Sequence, residues 1–173
     1  MIFKDVKSNL SSVGKEEVKT LVSWIRTRED LALWSGNTFQ KGFSAGKMQL
    51  HLQRTDLNSF AYLDKRKTLL CYADIARREK KTGVLCRLIV HPEHRRRGVG
   101  KAFCRDLLLW AKQYGNYSRI HLNTFGHNKA ALACYTALGF KTVSVETKRD
   151  SEIPLLESPP TIALRTSSSL SVS

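Results

Sequence analysis

The stretch that decides the fold covers residues 88–101 and reads Leu88-Ile89-Val90-His91-Pro92-Glu93-His94-Arg95-Arg96-Arg97-Gly98-Val99-Gly100-Lys101. The apolar run 84–90, interrupted only by Arg87, predicts a central, largely buried strand. Pro92 ends this strand because proline cannot continue a strand ladder. A basic turn follows, and Gly98 and Gly100 then open a helix.

This turn has the composition of an anion site. Glycines let the backbone approach a ligand closely, and the N–H groups of a helix's first turn have no intrahelical partner. Those donors and the positive helix end suit a pyrophosphate. A purely structural turn before a helix explains the same residues. The pattern is neither G-x-G-x-x-G nor a P-loop, since no Gly-Lys-Ser/Thr follows.

A second informative stretch, residues 128–140, reads NKAALACYTALGF. It predicts a helix over residues 128–138 that is closed by Gly139 as a left-handed cap. Asn128 and Tyr135 lie two helical turns apart on one face, so the two side chains point the same way.

Together the two stretches resemble the GCN5-related N-acetyltransferase (GNAT) superfamily. That family's cofactor motif, Val-x-Pro-x-x-(Arg/Gln)-x-x-Gly-x-(Gly/Ala), is matched by Val90, Pro92, Arg95, Gly98 and Gly100. Its following motif, Asn-x-x-Ala-x-x-x-Tyr-x-x-x-Gly-Phe, is matched by Asn128, Ala131, Tyr135, Gly139 and Phe140. Two sparse motifs in this order are more specific than either alone, and the resemblance covers residues 84–140.

The resemblance implies an α/β domain with a mixed, splayed central sheet flanked by helices, which binds acetyl-CoA as co-substrate between two central parallel strands. The residues expected to hold acetyl-CoA are Leu88, Ile89 and Val90 along the pantetheine arm, Arg95, Arg96, Arg97, Gly98, Val99 and Gly100 at the pyrophosphate, and Asn128 at the arm. Lys101 and Arg96 are expected to reach phosphate oxygens, or else to be solvated charges.

Tyr135 is the expected catalytic residue, placed by the resemblance beside the thioester sulfur. A tyrosine hydroxyl, with an ordinary pKa of about 10, can give a proton to a thiolate of similar basicity. A buried structural aromatic is the alternative reading of Tyr135. The implied reaction is direct attack of a primary amine on the thioester, with a strand N–H polarising the carbonyl.

The base for this reaction is not evident. In the protein N-terminal acetylating branch that the sequence resembles, a glutamate lies five residues before the asparagine, and here that position is Asn123. An amide cannot take up a proton. The candidates that remain are His91, Asp74, Glu79 and ordered water, and each of the three side chains also has a structural reading. His121 and His127 read as strand and loop residues, and no metal-ligand cluster is present.

Outside the two stretches, apolar periodicity predicts helices over residues 16–28 and 29–34 and a helical turn at residues 47–52. Residues 59–64 and 68–76 predict a hairpin, and residues 77–82 a charged connection. The helix from Gly98 is expected to run to Tyr114. Residues 119–125, 140–148 and 161–165 read as further strands. The expected organisation is one domain over residues 1–165 and a serine-rich flexible tail over residues 166–173.

Charge is the compositional outlier of the 173 residues, since 29 Lys and Arg against 15 Asp and Glu give a formal net charge of +14. Of this excess, +9 lies in residues 61–105, which hold 13 basic and 4 acidic residues. Such a patch attracts nucleic acid, acidic proteins or a phosphate-rich cofactor. A positive protein also repels polyamines and aminoglycosides, which favours a neutral or acidic amine acceptor, either an amino-acid-like small molecule or a protein amine.

The remaining composition argues against several classes of protein. The four cysteines lie far apart and are expected to be reduced, and no apolar run approaches the roughly 20 residues of a membrane span. The expected protein is therefore cytoplasmic, without a membrane partner, and a homodimer is one expected state. Two other functions stay open: a nucleic-acid or ribosome-binding module, and a sensor that binds acyl-CoA without turning it over.

Overall fold

Seven strands form one mixed sheet in the computed structural model, which describes residues 9–79, 81–148 and 151–159. Across the sheet the strands follow the order β1-β2-β3-β4-β5-β7-β6. They are β1 (Leu10–Ser11), β2 (Leu57–Leu63), β3 (Leu69–Glu79), β4 (Thr82–Val90), β5 (Arg119–Asn123), β6 (Lys141–Lys148) and β7 (Ser151–Glu157). The helices are α1 (Lys15–Trp24), α2 (Arg28–Ser35), α3 (Ala45–Leu52), α4 (Val99–Gln113) and α5 (Lys129–Ala137). This architecture confirms the predicted α/β fold with a mixed sheet.

β4 and β5 are the parallel pair, and every other neighbouring pair of strands is antiparallel. The β4–β5 ladder joins Thr82–Leu85 to Arg119–Leu122 and stops there. β4 continues to Val90 without a register partner on β5, so the sheet opens at this point. The opening has the splayed form that the resemblance implies.

A bulge in β4 coincides with the opening. Tyr72 and Asp74 of β3 pair with Ile89 and Cys86, so two residues of β4, Arg87 and Leu88, face a single residue of β3. Arg87 takes a φ of 53°, in the left-handed region that non-glycine residues seldom adopt. An extra residue of this kind bends a strand and redirects its side chains.

Each face of the sheet buries its own apolar cluster. One cluster packs α4 and α5 against the sheet and includes Phe103, Leu107 and Tyr135. The other packs α1 and α3 against the opposite face and includes Leu21 and Met48. The functional strands β4 and β5 therefore lie between two packed layers, which holds the opening between them in place.

Three segments differ from the sequence expectation. The helix predicted over residues 16–28 ends at Trp24, because Thr27 caps a new helix by accepting a hydrogen bond from the Asp30 N–H. Most of the predicted charged connection is instead strand, since β3 extends to Glu79 and Glu79 pairs with Thr82 of β4 at an exposed sheet end.

The third difference is β7, which sequence reasoning missed. It contains Pro154, which pairs only with β6, while the β5 ladder ends at Leu155. The strand predicted over residues 161–165 and the tail over residues 166–173 lie outside the described residues. Within the described ranges, no helix has the length and apolar character needed to cross a membrane.

Candidate active site

The sheet opening forms a groove of about 610 Å³ between β4, β5 and α5. We call it the sheet groove; among its lining residues are Leu88, Asn123, Phe125, Asn128 and Tyr135. Leu88, Asn128 and Tyr135 were singled out by the sequence, and they lie together here. The lining is mainly apolar with a few polar groups, as is usual for cofactor sites.

Tyr135 projects from α5 and is buried, with 9% of its surface exposed. Its ring packs against Phe140 at 5.8 Å between centroids. Burial raises the pKa of Tyr135, and the nearby thiols of Cys104 and Cys134 add to the shift. Among the described residues nothing hydrogen-bonds its hydroxyl, yet this oxygen is not one of the fully enclosed unpaired atoms. A protonated hydroxyl therefore faces the groove without a hydrogen-bond partner among the described residues.

Asn128 has a structural task besides lining the groove. It is the N-cap of α5, and its side-chain oxygen accepts a hydrogen bond from the Ala131 N–H at 3.2 Å. The amide nitrogen of the same side chain is left for another partner. The capping role is therefore compatible with the predicted contact with a cofactor arm, which stays a prediction.

The β4 edge beyond the ladder offers backbone groups to a ligand. Leu88, Ile89 and Val90 have no β5 partner, so one side of this strand is available for hydrogen bonds. The Val90 carbonyl is an exception, since it accepts a hydrogen bond from the Arg95 Nε at 3.2 Å. Arg95 therefore ties the basic turn to the end of β4.

The basic turn presents free donors at the start of α4. The first helical bond is from the Ala102 N–H to the Gly98 carbonyl, at 3.0 Å. In the described structure no bond engages the N–H groups of Gly98, Val99, Gly100 or Lys101. Gly98 has a φ of +77°, and a Cβ placed there would meet nothing within 4 Å. The turn is thus open, with four N–H groups and three exposed arginines, residues 95–97, around it.

At Gly100 the absence of a side chain matters for a different reason, the packing of α4 on the end of β4. A Cβ at this position would lie 3.1 Å from the Cγ2 of Val90, closer than most such contacts. The glycine therefore permits close packing of α4 on the end of β4. Close packing keeps the free donors of α4 near the strand edge that leads into the sheet groove.

A second groove, of about 690 Å³, lies on the other side of the opening. We call it the arginine groove, because four arginines line it together with a single carboxylate: Arg54, Arg77, Arg78, Arg87 and Asp56. The two grooves share Trp34, Leu85, Cys86, Arg87 and Asn123. They meet where β4 and β5 part.

Arg87, at this junction, is held by a buried network. Its Nε donates to Asp74, and its Nη1 donates to the Thr38 hydroxyl at 3.2 Å. Asp74 is fully buried and also hydrogen-bonds His51 at 2.9 Å and the Tyr72 hydroxyl at 2.5 Å. Burial alone would raise the pKa of Asp74, but the bond from His51 and the charge of Arg87 outweigh it and hold this pKa below its ordinary value.

Trp34 fixes the same junction from α2. Its indole N–H donates to the Arg87 carbonyl at 2.6 Å. Arg87 was noted in the sequence only as the charge that interrupts an apolar strand, and Trp34 was not singled out. The interruption was the signal for Arg87, while no local pattern points to Trp34, because its partner is 53 residues away.

None of the predicted bases lies free at the junction. Asp74 is enclosed and fully paired, and Glu79 lies at the exposed far end of β3. His91 follows β4; its Nδ1 accepts the Glu93 N–H, and its ring contacts Trp24. Asp56, on the arginine groove, is held by Arg54, whose hydrogen bond lowers its pKa. Cys86, at the junction, keeps its proton because burial raises its pKa to about 11.

The other site-related predictions also have defined places. His121 pairs with Glu157 at 2.8 Å across β5 and β7, and His127 stacks on Phe125. All four cysteines are free, two buried and two half-buried. Over the described ranges, no three His, Cys, Asp or Glu side chains are grouped so as to hold a metal ion.

Comparison with known proteins places this architecture in a family. A model of the Acetyltransferase (GNAT) family matches residues 19–140. N-acetyltransferase 8 of Homo sapiens is 42% identical over 57 residues, 33% of this chain and 25% of that protein. N-acetyltransferase family 8 member 3 of Mus musculus is 41% identical over 63 residues, 36% and 27% of the two chains. The match spans about a quarter of the length of each relative.

Solved structures share the fold at low identity. A spermidine N-acetyltransferase from Vibrio cholerae, in complex with CoA and spermine, is 15% identical with a TM-score of 0.72, covering 86% of this chain and 92% of that one. A dodecameric spermidine N-acetyltransferase from the same organism has a TM-score of 0.69 at 15% identity, covering 86% and 91%. The family model covers well over half of the chain, so the protein belongs to the GNAT acetyltransferase family.

Proposed function

We propose that the protein is an acetyl-CoA-dependent N-acetyltransferase that transfers the acetyl group to a primary amine by direct attack. The observation that carries the proposal is the meeting of two grooves at the sheet opening, with the Tyr135 hydroxyl in one of them. One groove has room for a cofactor arm and the other for an acceptor. The shared residues define where the two would react.

The residues present fit acetyl-CoA. The unpaired β4 edge at residues 88–90 offers backbone hydrogen bonds to the pantetheine arm, with Asn128 across the groove. The four free N–H groups at the start of α4 and the turn arginines suit a pyrophosphate. When bound, acetyl-CoA supplies an acetyl group as a thioester, which an unprotonated amine attacks.

Groups of this chain would assist the reaction at two atoms of the thioester, the carbonyl oxygen and the sulfur. Arg87 and Leu88 have no register partner on either neighbouring strand, which makes a backbone N–H of this bulge the candidate donor to a carbonyl oxygen at the junction. Tyr135 holds a proton on its hydroxyl at neutral pH, because burial raises its pKa, and can release it to the departing sulfur. Solvent takes the amine proton, since the junction residues include no free carboxylate or imidazole.

The test is a calorimetric titration with acetyl-CoA followed by a thiol-release assay over a panel of amines. Binding with amine-dependent thiol release is expected. Binding without release for every amine would favour an acyl-CoA sensor. Absence of binding, together with tight and salt-sensitive binding of RNA, would favour the nucleic-acid module.

The homodimer is proposed as the state in solution. Two apolar side chains of β6, Val143 and Val145, are more than half exposed, and β6 is an edge strand of the sheet. Apolar side chains exposed on the outermost described strand of a sheet favour association. Light scattering on the purified chain is expected to give twice the monomer mass; a monomer at all concentrations would reject the proposal.

A further inference from the structure

We propose that the acceptor is a small amine that carries a carboxylate, and that the arginine groove binds this carboxylate through Arg87 and Arg78. The proposal rests on the N-acetyltransferase function and names the substrate class for it. It is carried by the composition of the groove and by the position of one guanidinium at the junction.

The Arg87 guanidinium is held in place, yet several of its N–H donors have no partner among the described residues. It has five N–H donors, and the described residues engage only Nε, with Asp74, and one hydrogen of Nη1, with Thr38. The side chain is 10% exposed and lines both grooves, so the remaining donors border the junction. A fixed guanidinium with free donors is suited to a carboxylate, which it can bind through two parallel hydrogen bonds.

The other charged side chains that line the arginine groove leave it with a net positive charge, the same sign as that of Arg87. Asp74 neutralises Arg87 from behind, and Asp56 is neutralised by Arg54 at 2.5 Å. Arg77 and Arg78 also line the groove, and neither forms an ion pair within the described part of the chain. The groove therefore presents excess positive charge to whatever enters it. An acceptor carboxylate would offset this charge, whereas a polyamine would add to it.

The position of Arg87 also limits the distance between the carboxylate of the acceptor and its reacting amine. Because its guanidinium borders the junction shared by the two grooves, a carboxylate bound to it would lie only a few bonds from an amine at the reaction point. An amino acid has this spacing. A long polyamine would have to pass the arginines before its amine reached the junction.

The experiment compares matched amines. The panel contains glycine, alanine and phenylalanine, the α-amide of each, and spermidine, all assayed for thiol release at saturating acetyl-CoA. The amides are a strict control: their amines are less basic, because no carboxylate stabilises the ammonium, so more of each amide is unprotonated and reactive. We expect kcat/KM to be at least tenfold higher for at least one acid than for its amide, and lowest for spermidine.

Two variants in the groove and one control outside it assign the effect to the groove. Arg78→Gln removes an exposed lining charge and should lower kcat/KM for the acid about fivefold or more, mainly through KM, while the amide is unaffected. Arg66→Gln makes the same charge change in the β2–β3 turn, outside the groove, and should change neither. Arg87→Lys keeps the charge facing Asp74 and should lower the acid's kcat/KM further.

The outcomes separate the two proposals. Thiol release that is as fast with amides or spermidine as with acids would overturn the acceptor class and leave the acetyltransferase function standing. Equal effects of Arg78→Gln on the acid and the amide would remove the arginine groove from acceptor binding. Acetyl-CoA binding without release for any amine would overturn both.

Discussion

At the scale of single residues, Arg87 and Asp74 account for the shape of the site. A buried ion pair stabilises a fold only when its remaining groups are hydrogen-bonded, and Asp74 meets this condition through His51, Ser59 and Tyr72. The network spans α3, β2, β3 and β4, so it fixes the bulge from several sides. The left-handed backbone at Arg87 persists because these contacts hold it there.

Asp74→Asn tests this network. The change keeps the side-chain shape but leaves Arg87 with an uncompensated buried charge, so we expect the free energy of unfolding to fall by about 3–5 kcal/mol. Urea denaturation measures it. Asp56→Asn breaks an ion pair of similar length on the exposed rim and should change stability little. Equal effects of the two substitutions would show that the Asp74 network adds no special stability.

The carboxyl of Asp74 also makes the stability of the fold depend on pH under acidic conditions. The pKa of Asp74 is lower in the folded chain than the unfolded value of about 3.9, so its contribution is present above that pH and lost as the pH falls through the folded pKa. The gap in unfolding free energy between wild type and Asp74→Asn should be constant from about pH 5 to pH 8 and narrow below about pH 4. A gap that narrowed at neutral pH would point to another group.

Tyr135→Phe tests the proposed acid. The hydroxyl has no protein partner in the described structure, so its loss should leave stability and acetyl-CoA affinity within a few-fold of wild type. The value of kcat should fall by roughly 10²-fold. Tyr62→Phe is the matched control, because the Tyr62 hydroxyl donates to Asp106 at 3.1 Å and its loss should affect stability but not kcat. Equal kcat values for wild type and Tyr135→Phe, measured where the chemical step limits the rate, would show that Tyr135 is a structural core residue and not the acid.

At the scale of elements, the sequence predicts those strands, turns and helices whose formation depends on residues that are adjacent in the chain. β4, the turn after it, α4 and α5 are predictable, because an apolar run, a proline, two glycines and an asparagine cap each act locally. The Gly139 cap is likewise confirmed, with a φ of 87°.

Long-range contacts explain what sequence reasoning missed. The β4 bulge depends on Asp74 and on the Trp34 indole, neither of which is close to Arg87 in sequence. β7 contains a proline and has mixed burial, so only its place between β5 and β6 makes it a strand. The arginine groove gathers residues from positions 34 to 123, and no local pattern brings them together.

Gly98→Val tests the turn before α4. The side chain would enter the open space beside four free N–H groups, and a φ of +77° strains any valine. Acetyl-CoA affinity in the folded variant should fall at least tenfold, about 1.4 kcal/mol. Gly46→Val is the control, since this α3 glycine also has open space around its Cβ position but no positive φ. Unchanged calorimetric affinity for Gly98→Val would place the cofactor elsewhere.

At the scale of the whole molecule, two groups of arginines lie where the two substrates are proposed to bind: Arg95, Arg96 and Arg97 in the turn before α4, and the four arginines of the arginine groove. The turn arginines lie at one end of the exposed β4 edge and the arginine groove at the other side of the opening. The net charge of +14 therefore acts on the encounter with anionic ligands as well as on solubility.

The final prediction concerns the rate of this encounter. Acetyl-CoA is anionic, so the field of the basic turn should speed its association, and salt should screen that field as the Debye length falls from about 30 Å at 0.01 M to about 8 Å at 0.15 M. Stopped-flow measurements are expected to give an association rate constant that drops severalfold over this range, with a nearly constant dissociation rate.

The contribution of the turn to this field can be separated from that of net charge. Arg96→Gln and Arg66→Gln remove the same charge, but only Arg96 lies in the turn between β4 and α4. Because exposed charges further than a Debye length from a ligand are screened, Arg96→Gln should slow association more, and the difference should shrink at high salt. Equal slowing by both would mean that net charge alone attracts the cofactor, and a rate independent of salt would mean that charge does not act on the encounter.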